Sequence, residues 1–461
     1  MHLIDSSIIV AYFIILIWIG VFQKKIKTQS SENFILSGRK LSLVGFVATL
    51  VTTWYGAILG IGENTYLYGI QTWFIFSFPY YIFATLYAFF IAPKIRENGH
   101  TSIPDHFHNH FGKASGVLAA VLIIFLASPA PYILSMGVLI EYFFQINLGL
   151  SLVIATLFSV FYLWNGGFSA VVKTDFFQFI CMFISFFILL GFLWMKVGSP
   201  LQMIQALPVG FTDPLGGNTV QYVLVWFFIA AWTFIDPGFF QRCAAAKTPE
   251  TAKKGILIAI GFWAIFDALT IFCGLYAINL LKTDQALLTY PLLAIDILPV
   301  GFLGLFLMGI FAIIMSTIDS LSFITAITFG RDILWRWTHK KSDKEQSIPF
   351  IKVGLILTST TSLTLAYLIP SVVGLLFTLG SIIIPSLIFP FLSSLVMRDF
   401  HLPGKISVRW ILIPLFISFF WLLLSNTLGF NFLKIEPFYP GMIGSFIYYF
   451  FIIRGHQWQL K

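Results

Sequence analysis

Long apolar runs recur along the whole chain and are separated by short polar connections. About 20 apolar residues cross a bilayer as a helix, so the pattern predicts thirteen membrane spans. The unbroken runs exclude a transmembrane β-barrel, whose strands alternate apolar and polar residues. The predicted spans are residues 7–23, 42–69, 72–93, 115–144, 148–168, 174–195, 220–241, 252–281, 300–330, 350–369, 371–396, 408–426 and 438–454.

The composition agrees with a polytopic, all-helical membrane protein, because the 461 residues are 58% hydrophobic and only 10% charged. The first run follows Asp5 rather than a basic segment and lacks a small-residue cleavage site, so we interpret it as a retained helix. The cysteines show no metal-ligand spacing and are expected to be reduced packing residues: Cys181, Cys243 and Cys273.

The net charge of +8 could suggest nucleic acid or anionic lipid as a partner, but the positions of the charged residues indicate membrane topology instead. An outer N-terminus and a cytoplasmic C-terminus place 24 of the 27 Lys and Arg residues, Arg242 among them, on the cytoplasmic side. The three left outside are Lys196, Lys282 and Lys434. We therefore expect a multi-pass protein of the cell (plasma or inner) membrane.

The ninth span carries the densest polar chemistry, in the stretch GIFAIIMSTIDS from Gly309 to Ser320. On a helix, four of its residues share one face that could hold a bare cation: Ile313, Ser316, Thr317 and Ser320. The alternative is that the hydroxyls bond back to carbonyls one turn earlier. Asp319 favours function, since an acid in hydrocarbon needs a partner, an ion or water.

Two spans carry helix-breaking residues. The second contains Gly45, Gly56, Gly60, Gly62 and Gly69, which permit either close packing or an unwound segment lining a cavity. The seventh is interrupted by Asp236, Pro237 and Gly238. Because these spans lie five crossings apart, they run in opposite directions.

Such a pair predicts an inverted-repeat transporter. We expect one transmembrane domain over residues 1–461, with a leading helix and loop (1–41), two repeats (42–196 and 220–396) and two trailing helices (397–461).

A histidine patch follows the third span. His106, His108 and His110 adjoin Asp105 in a predicted cytoplasmic loop. Metal binding is conceivable, but this spacing without supporting ligands favours a solvated amphipathic loop.

Four stretches resemble the sodium:solute symporter family: GIGENTYLYG from Gly60, GGFSAVVKTDFFQ from Gly166, QRCAAAK from Gln241 and MSTIDS from Met315. The resemblance implies a LeuT-type fold in which spans 2–6 and 7–11 form inverted five-helix repeats and spans 2 and 7 are discontinuous.

The resemblance also implies a sodium site. Its hydroxyl ligands fall on Ser316 and Thr317, and its carbonyl ligands on Ile313, Leu50 and Thr53. The second-span assignment is less specific, because TTWYG replaces the Ser-rich pattern usual in the family.

Some relatives have a second sodium site, which maps onto Asp175, Asp319 and Ser320. Two nearby acids seldom both stay ionised without a cation, so a further ion and protonation of one carboxylate both remain open.

For the solute, the resemblance places Trp232 where relatives stack an aromatic ring against the substrate. The intramembrane acids Glu63 and Asp267 are further candidates, with interfacial exposure and a helix–helix hydrogen bond as their respective alternatives. Ile229 stands where sugar transporters have an amide, which disfavours a sugar.

We therefore expect a sodium-coupled symporter of a small organic solute in a lipid bilayer. The alternatives are a proton-coupled relative that uses Asp319 or Asp175, and a transporter-like sensor. A membrane enzyme is disfavoured because the histidines lie in loops and at the termini rather than at membrane depth.

Overall fold

The computed structural model describes residues 2–21, 30–338, 346–369, 371–397, 402–427 and 435–453. Over these residues the chain is helical, with one isolated bridge between Leu41 and Ala246 and no β-sheet. Lys434 and the last residues of the first and last predicted spans (residues 22–23 and 454) lie outside the described ranges.

The described residues of the first half of the chain form a leading helix and ten further helices. They are α1 (Leu3–Val21), α2 (Ser31–Leu36), α3 (Leu43–Trp54), α4 (Ile58–Tyr68), α5 (Gln71–Phe76), α6 (Phe78–Phe90), α7 (Ala92–Asn98), α8 (Ile103–Phe111), α9 (Lys113–Leu126), α10 (Ala130–Phe144) and α11 (Leu148–Val197).

The described residues of the second half form eleven more helices. They are α12 (Pro200–Gln205), α13 (Val220–Ile229), α14 (Pro237–Ala245), α15 (Pro249–Leu280), α16 (Thr289–Ile297), α17 (Phe302–Ile327), α18 (Arg336–Thr338), α19 (Ile348–Leu368), α20 (Val372–Val396), α21 (Gly404–Thr427) and α22 (Phe438–Tyr448). The main short irregular helices are 3-10 segments at Ser37–Arg39, Ala230–Ile235 and Ala286–Leu288 and π segments at Thr328–Trp335 and Tyr449–Ile453.

Each of the thirteen predicted spans falls on helix, but not all are equally long. Ten helical stretches of the described chain are long and apolar enough to cross a membrane, and the bent pair α3–α4 makes eleven. The predicted spans at 148–168 and 438–454 correspond to shorter apolar helix, at Leu148–Phe158 and in α22.

Helix α11 joins the predicted fifth and sixth spans without a loop. Gly167 interrupts it with φ 59° and ψ −167°, a conformation that favours glycine. A Cβ here would also lie 2.8 Å from Phe34, so glycine lets α2 pack directly against the kink.

Helix α17 is the centre of the bundle. Of its most apolar stretch, 78% of the residues are buried, against 28% in α1, α19 and α21. The peripheral helices instead expose large apolar side chains such as Trp18 and Phe420, as lipid-facing helices do.

Both predicted interruptions are present. Helices α3 and α4 meet at a 53° bend around Tyr55–Ala57. In the seventh span, α13 passes into the 3-10 segment and Asp236 then adopts an extended conformation, where its carboxylate caps the backbone N–H of Phe239. Pro237 occupies the first turn of α14, where its missing N–H has no cost.

Candidate functional site

Three of the five predicted sodium ligands meet at one hydroxyl. Thr317 Oγ1 lies 3.0 Å from the carbonyl oxygen of Thr53 and 3.3 Å from that of Ile313. Thr53 is in the last turn of α3, where the bend leaves carbonyls without their usual helical partners. A hydroxyl and two carbonyl oxygens therefore converge between α3 and α17.

Gly56 makes this convergence sterically feasible. A Cβ at this position would lie 2.5 Å from Thr317 Cβ and 2.5 Å from Tyr132 Cδ1. The bend between α3 and α4 can thus approach α17 only because the residue is glycine.

The other two predicted ligands lie close by. Leu50 is one turn before Thr53 on α3 and lines the central cavity described below. Ser316 is fully buried, and its hydroxyl donates a 2.6 Å hydrogen bond to Asp175 Oδ1.

A buried ionic cluster adjoins these ligands. Asp175 accepts hydrogen bonds from the hydroxyls of Ser316 and Thr49, and its Oδ2 lies 3.9 Å from Arg242 Nη2. The same guanidinium nitrogen, which carries two N–H donors, lies within hydrogen-bonding distance of the hydroxyls of Thr49 (2.9 Å), Thr53 (2.9 Å) and Ser320 (2.8 Å). Arg242 therefore joins the residues predicted as sodium ligands to those predicted as a second cation site.

Of the predicted second site, Asp175 and Ser320 come together through Arg242, and Ser320 also contacts Thr53 at 3.0 Å. Asp319 is fully buried beside Ser320 on α17.

The sequence did not reveal Arg242 or Thr49 as members of this cluster. Arg242 was assigned to the cytoplasmic side from its charge, but its side chain has no exposed surface. All residues of α14, in which Arg242 stands, are buried, and this burial comes from tertiary packing that the local sequence does not indicate.

A central cavity opens where the two interrupted spans face each other. Trp54 and Ala57 reach it from the bend in the second span, and Trp232 and Asp236 from the break in the seventh. Its aromatic lining consists of Trp54, Phe76, Tyr80, Tyr132, Trp226, Trp232 and Phe239. Among the described residues that line it, Asp236 is the single acid and Arg242 the single base.

The three predicted solute residues are placed differently. Trp232 lines the cavity, whereas Glu63 and Asp267 are not among its lining residues. Asp267 accepts hydrogen bonds from the hydroxyls of Tyr55 (2.9 Å) and Tyr81, and so links the second-span bend, α6 and α15. This is the helix–helix hydrogen bond that the sequence allowed as an alternative.

An oxygen-lined pocket between a broken helix and a central helix, next to a cavity at two facing interruptions, is typical of LeuT-type secondary transporters. Comparison with known structures supports this class. A substrate-bound, outward-open Na+-coupled sialic acid symporter superposes with a TM-score of 0.79 at 18% identity, over 97% of this chain and 96% of that one. A transporter of the nucleobase-cation-symport-1 family superposes with a TM-score of 0.61.

The family model for the sodium:solute symporter family matches residues 34–401, and the chain belongs to that family. Its members are transporters rather than enzymes, and sodium-coupled symport of a solute is the function of this class.

Two related transporters show how low the sequence identity to this chain is. The high-affinity choline transporter 1 of Drosophila melanogaster is 24% identical over 86% of this chain and 67% of its own length. The sodium/glucose cotransporter 1 of Ovis aries is 25% identical over 75% and 60% respectively. The chain thus spans about two thirds of the length of these relatives.

Proposed function

We propose that this chain imports a small organic cation together with sodium by alternating access. The observation that carries the sodium part is the position of Thr317 Oγ1, within hydrogen-bonding distance of the carbonyls of both Thr53 and Ile313. A cation bound among these oxygens would tie α3 to α17 in one conformational state.

The proposed sodium site consists of the carbonyls of Leu50, Thr53 and Ile313 and the hydroxyls of Ser316 and Thr317. All five ligands are neutral oxygens, which suits a site that must release its ion again after each transport step. If sodium and solute favour the same state, each raises the affinity of the other, and the sodium gradient then drives uptake.

For the second cation site, at Asp175, Asp319 and Ser320, we propose that the Arg242 guanidinium supplies the positive charge in place of a second sodium ion. Its contacts with Thr49, Thr53 and Ser320 support this, as does its 3.9 Å approach to Asp175.

The aromatic cavity with its single acid supports an organic cation as the solute. Aromatic faces attract ammonium groups electrostatically, and quaternary ammonium ions are recognised in this way. Arg242 is paired with Asp175, so we assign the Asp236 carboxylate, which also caps the Phe239 N–H, to balance the charge of the solute. Trp232 is the proposed stacking residue, and the choline transporters among the relatives have a solute of this chemistry.

The experiment that tests the sodium site measures the melting temperature of the purified chain in detergent, in sodium chloride and in equimolar potassium chloride. A ligand that binds only the folded state stabilises it by mass action, by about 2.7 kcal/mol at 100 times its Kd. We expect selective stabilisation by sodium, and expect Ser316→Ala with Thr317→Val to abolish it.

Thr328→Val is the matched control, because it removes a buried hydroxyl beyond the end of α17 that bonds only back to the Ile324 carbonyl. The proposal fails if sodium has no selective effect on the unsubstituted chain. Stabilisation by acid alone would favour proton coupling through Asp319 instead.

A further inference from the structure

Three histidines gather outside the membrane-spanning helices, at the turn into α8. His106 and His110 are one helical turn apart on α8, and His100 lies in the turn before it. Their ligand atoms all lie within 4.8 Å of one another. The segment is a helix and His106 is fully buried, so the predicted solvated loop is wrong. His108 does not belong to the group formed by His100, His106 and His110.

The hydrogen bonds of His106 leave one ring nitrogen available. Ser394 on α20 donates its hydroxyl to the Phe391 carbonyl, so it accepts at 2.8 Å from His106 Nε2–H. The lone pair of this imidazole is therefore on Nδ1, which is buried and has no hydrogen-bond partner. A buried acceptor without a partner is unfavourable, and a bond to a metal ion would satisfy it.

The other two imidazoles are oriented by similar contacts. His110 Nδ1 lies 3.0 Å from the His106 carbonyl and must donate to it, which leaves the lone pair on Nε2. His100 Nδ1 accepts a hydrogen bond from the Asn109 amide at 2.9 Å, and a metal ion would replace that amide.

Burial lowers the pKa of His106 well below its ordinary value, and it also lowers the pKa of His100. Burial thus favours the neutral form of both imidazoles, which is the form that binds a metal ion. The nearby positive charges of Arg331 and Arg336 are paired with Asp105.

We propose that His100, His106 and His110 form a binding site for a divalent transition-metal ion of the zinc type. Two histidines at i and i+4 on one helix face are a common zinc-binding arrangement. Imidazole nitrogen suits Zn2+, Ni2+ and Cu2+ rather than Mg2+ or Ca2+, which prefer oxygen. Zn–N bonds of about 2.0–2.1 Å require the three rings to close slightly around the ion.

A bound metal would join His100, in the turn before α8, to His106 and His110 on α8. Helix α8 itself contacts α20 through His106 and Ser394, and Arg336, beyond the end of α17, through Asp105. The metal would thus fix the turn at a point where α8 meets these two parts of the bundle.

The test measures Zn2+ binding to the full chain in detergent by calorimetry, after removal of any histidine tag, with melting temperature as a second readout. We expect one Zn2+ per chain and selectivity over Mg2+. His100→Gln and His110→Gln should each weaken binding by at least about tenfold, since loss of supporting ligands alone costs metal sites 10–100-fold.

His108→Gln is the matched control on the same helix and should bind zinc as the unsubstituted chain does. The melting temperature without zinc identifies any variant that fails to fold. If His110→Gln does not fold, His110→Ala is measured in its place. Absence of zinc binding overturns the proposal, and so does an equal loss in the His108 variant.

Discussion

The guanidinium of Arg242 lies 3.9 Å from the carboxylate of Asp175, and neither side chain has any exposed surface. The pair connects α14, at the interrupted seventh span, with the second half of α11, and three hydroxyls complete the cluster. The positive charge of Arg242 is thus held within the group of residues that we propose as ligands of the transported sodium ion.

Breaking this pair on one side should destabilise the protein strongly. Arg242→Gln leaves a buried carboxylate without its cation, and loss of one partner of a buried pair costs about 3–5 kcal/mol. Asp175→Asn should have a similar effect, while the double variant should recover most of the loss because both charges are gone. Melting temperatures of the four proteins in detergent measure this coupling.

Glu32→Gln is the control for this cycle. Glu32 pairs with Arg39 at 2.6 Å, but its side chain is 56% exposed, and exposed pairs contribute at most about 1 kcal/mol. If Arg242→Gln lowers the melting temperature no more than Glu32→Gln does, the buried pair does not stabilise the protein as argued.

The same arginine should set the sodium stoichiometry. With Arg242 present, we expect a Hill coefficient for sodium close to one in solute uptake by proteoliposomes. In Arg242→Gln the positive charge is gone and space is left near Asp175 and Ser320, so sodium affinity at the second site should rise. A Hill coefficient of two in the unsubstituted protein would contradict the assignment of Arg242 as the resident cation.

The central cavity should bind a cationic solute more tightly than a neutral molecule of the same shape. Choline should raise the melting temperature in sodium, and its neutral isostere 3,3-dimethylbutan-1-ol should bind roughly 30-fold more weakly, since a desolvated cation–π contact contributes about 2 kcal/mol. Asp236→Asn should reduce this preference. Glu63→Gln is the control, since Glu63 does not line the cavity.

Equal binding of the two compounds would refute an organic-cation solute but would leave the sodium result standing. The two parts of the proposed function can therefore fail separately.

Much of the architecture follows from local signals. Glycine, proline and apolar run length act within one helix, so the sequence predicts the bends at Gly56 and Pro237 and the polar face of α17. The Thr53 carbonyl is assigned to the predicted sodium site from the family resemblance, and it lies 3.0 Å from Thr317 Oγ1.

The environment of Arg242 could not be predicted in this way. The distribution of basic residues indicates on which side of a membrane a segment lies, but not whether one side chain turns inward. Its partners Thr49, Asp175 and Ser320 come from three other helices, and only tertiary packing brings them together. The same holds for His100, which joins His106 and His110 only because of the turn before α8.

The close approach at Gly56 gives the sharpest test of the sodium site. Gly56→Ala places a methyl group 2.5 Å from Thr317 and Tyr132, and overpacking of this kind costs about 1–3 kcal/mol. Because the clash separates the Thr53 carbonyl from Thr317 Oγ1, we expect stabilisation by sodium to be lost along with solute uptake. Gly261→Ala is the matched control: it lies in a helix, and an added Cβ there meets no atom within 4 Å. Since alanine favours helix over glycine, this control should keep its sodium response with an equal or higher melting temperature. A Gly56 variant that still responds to sodium would show that the ion binds somewhere other than between α3 and α17.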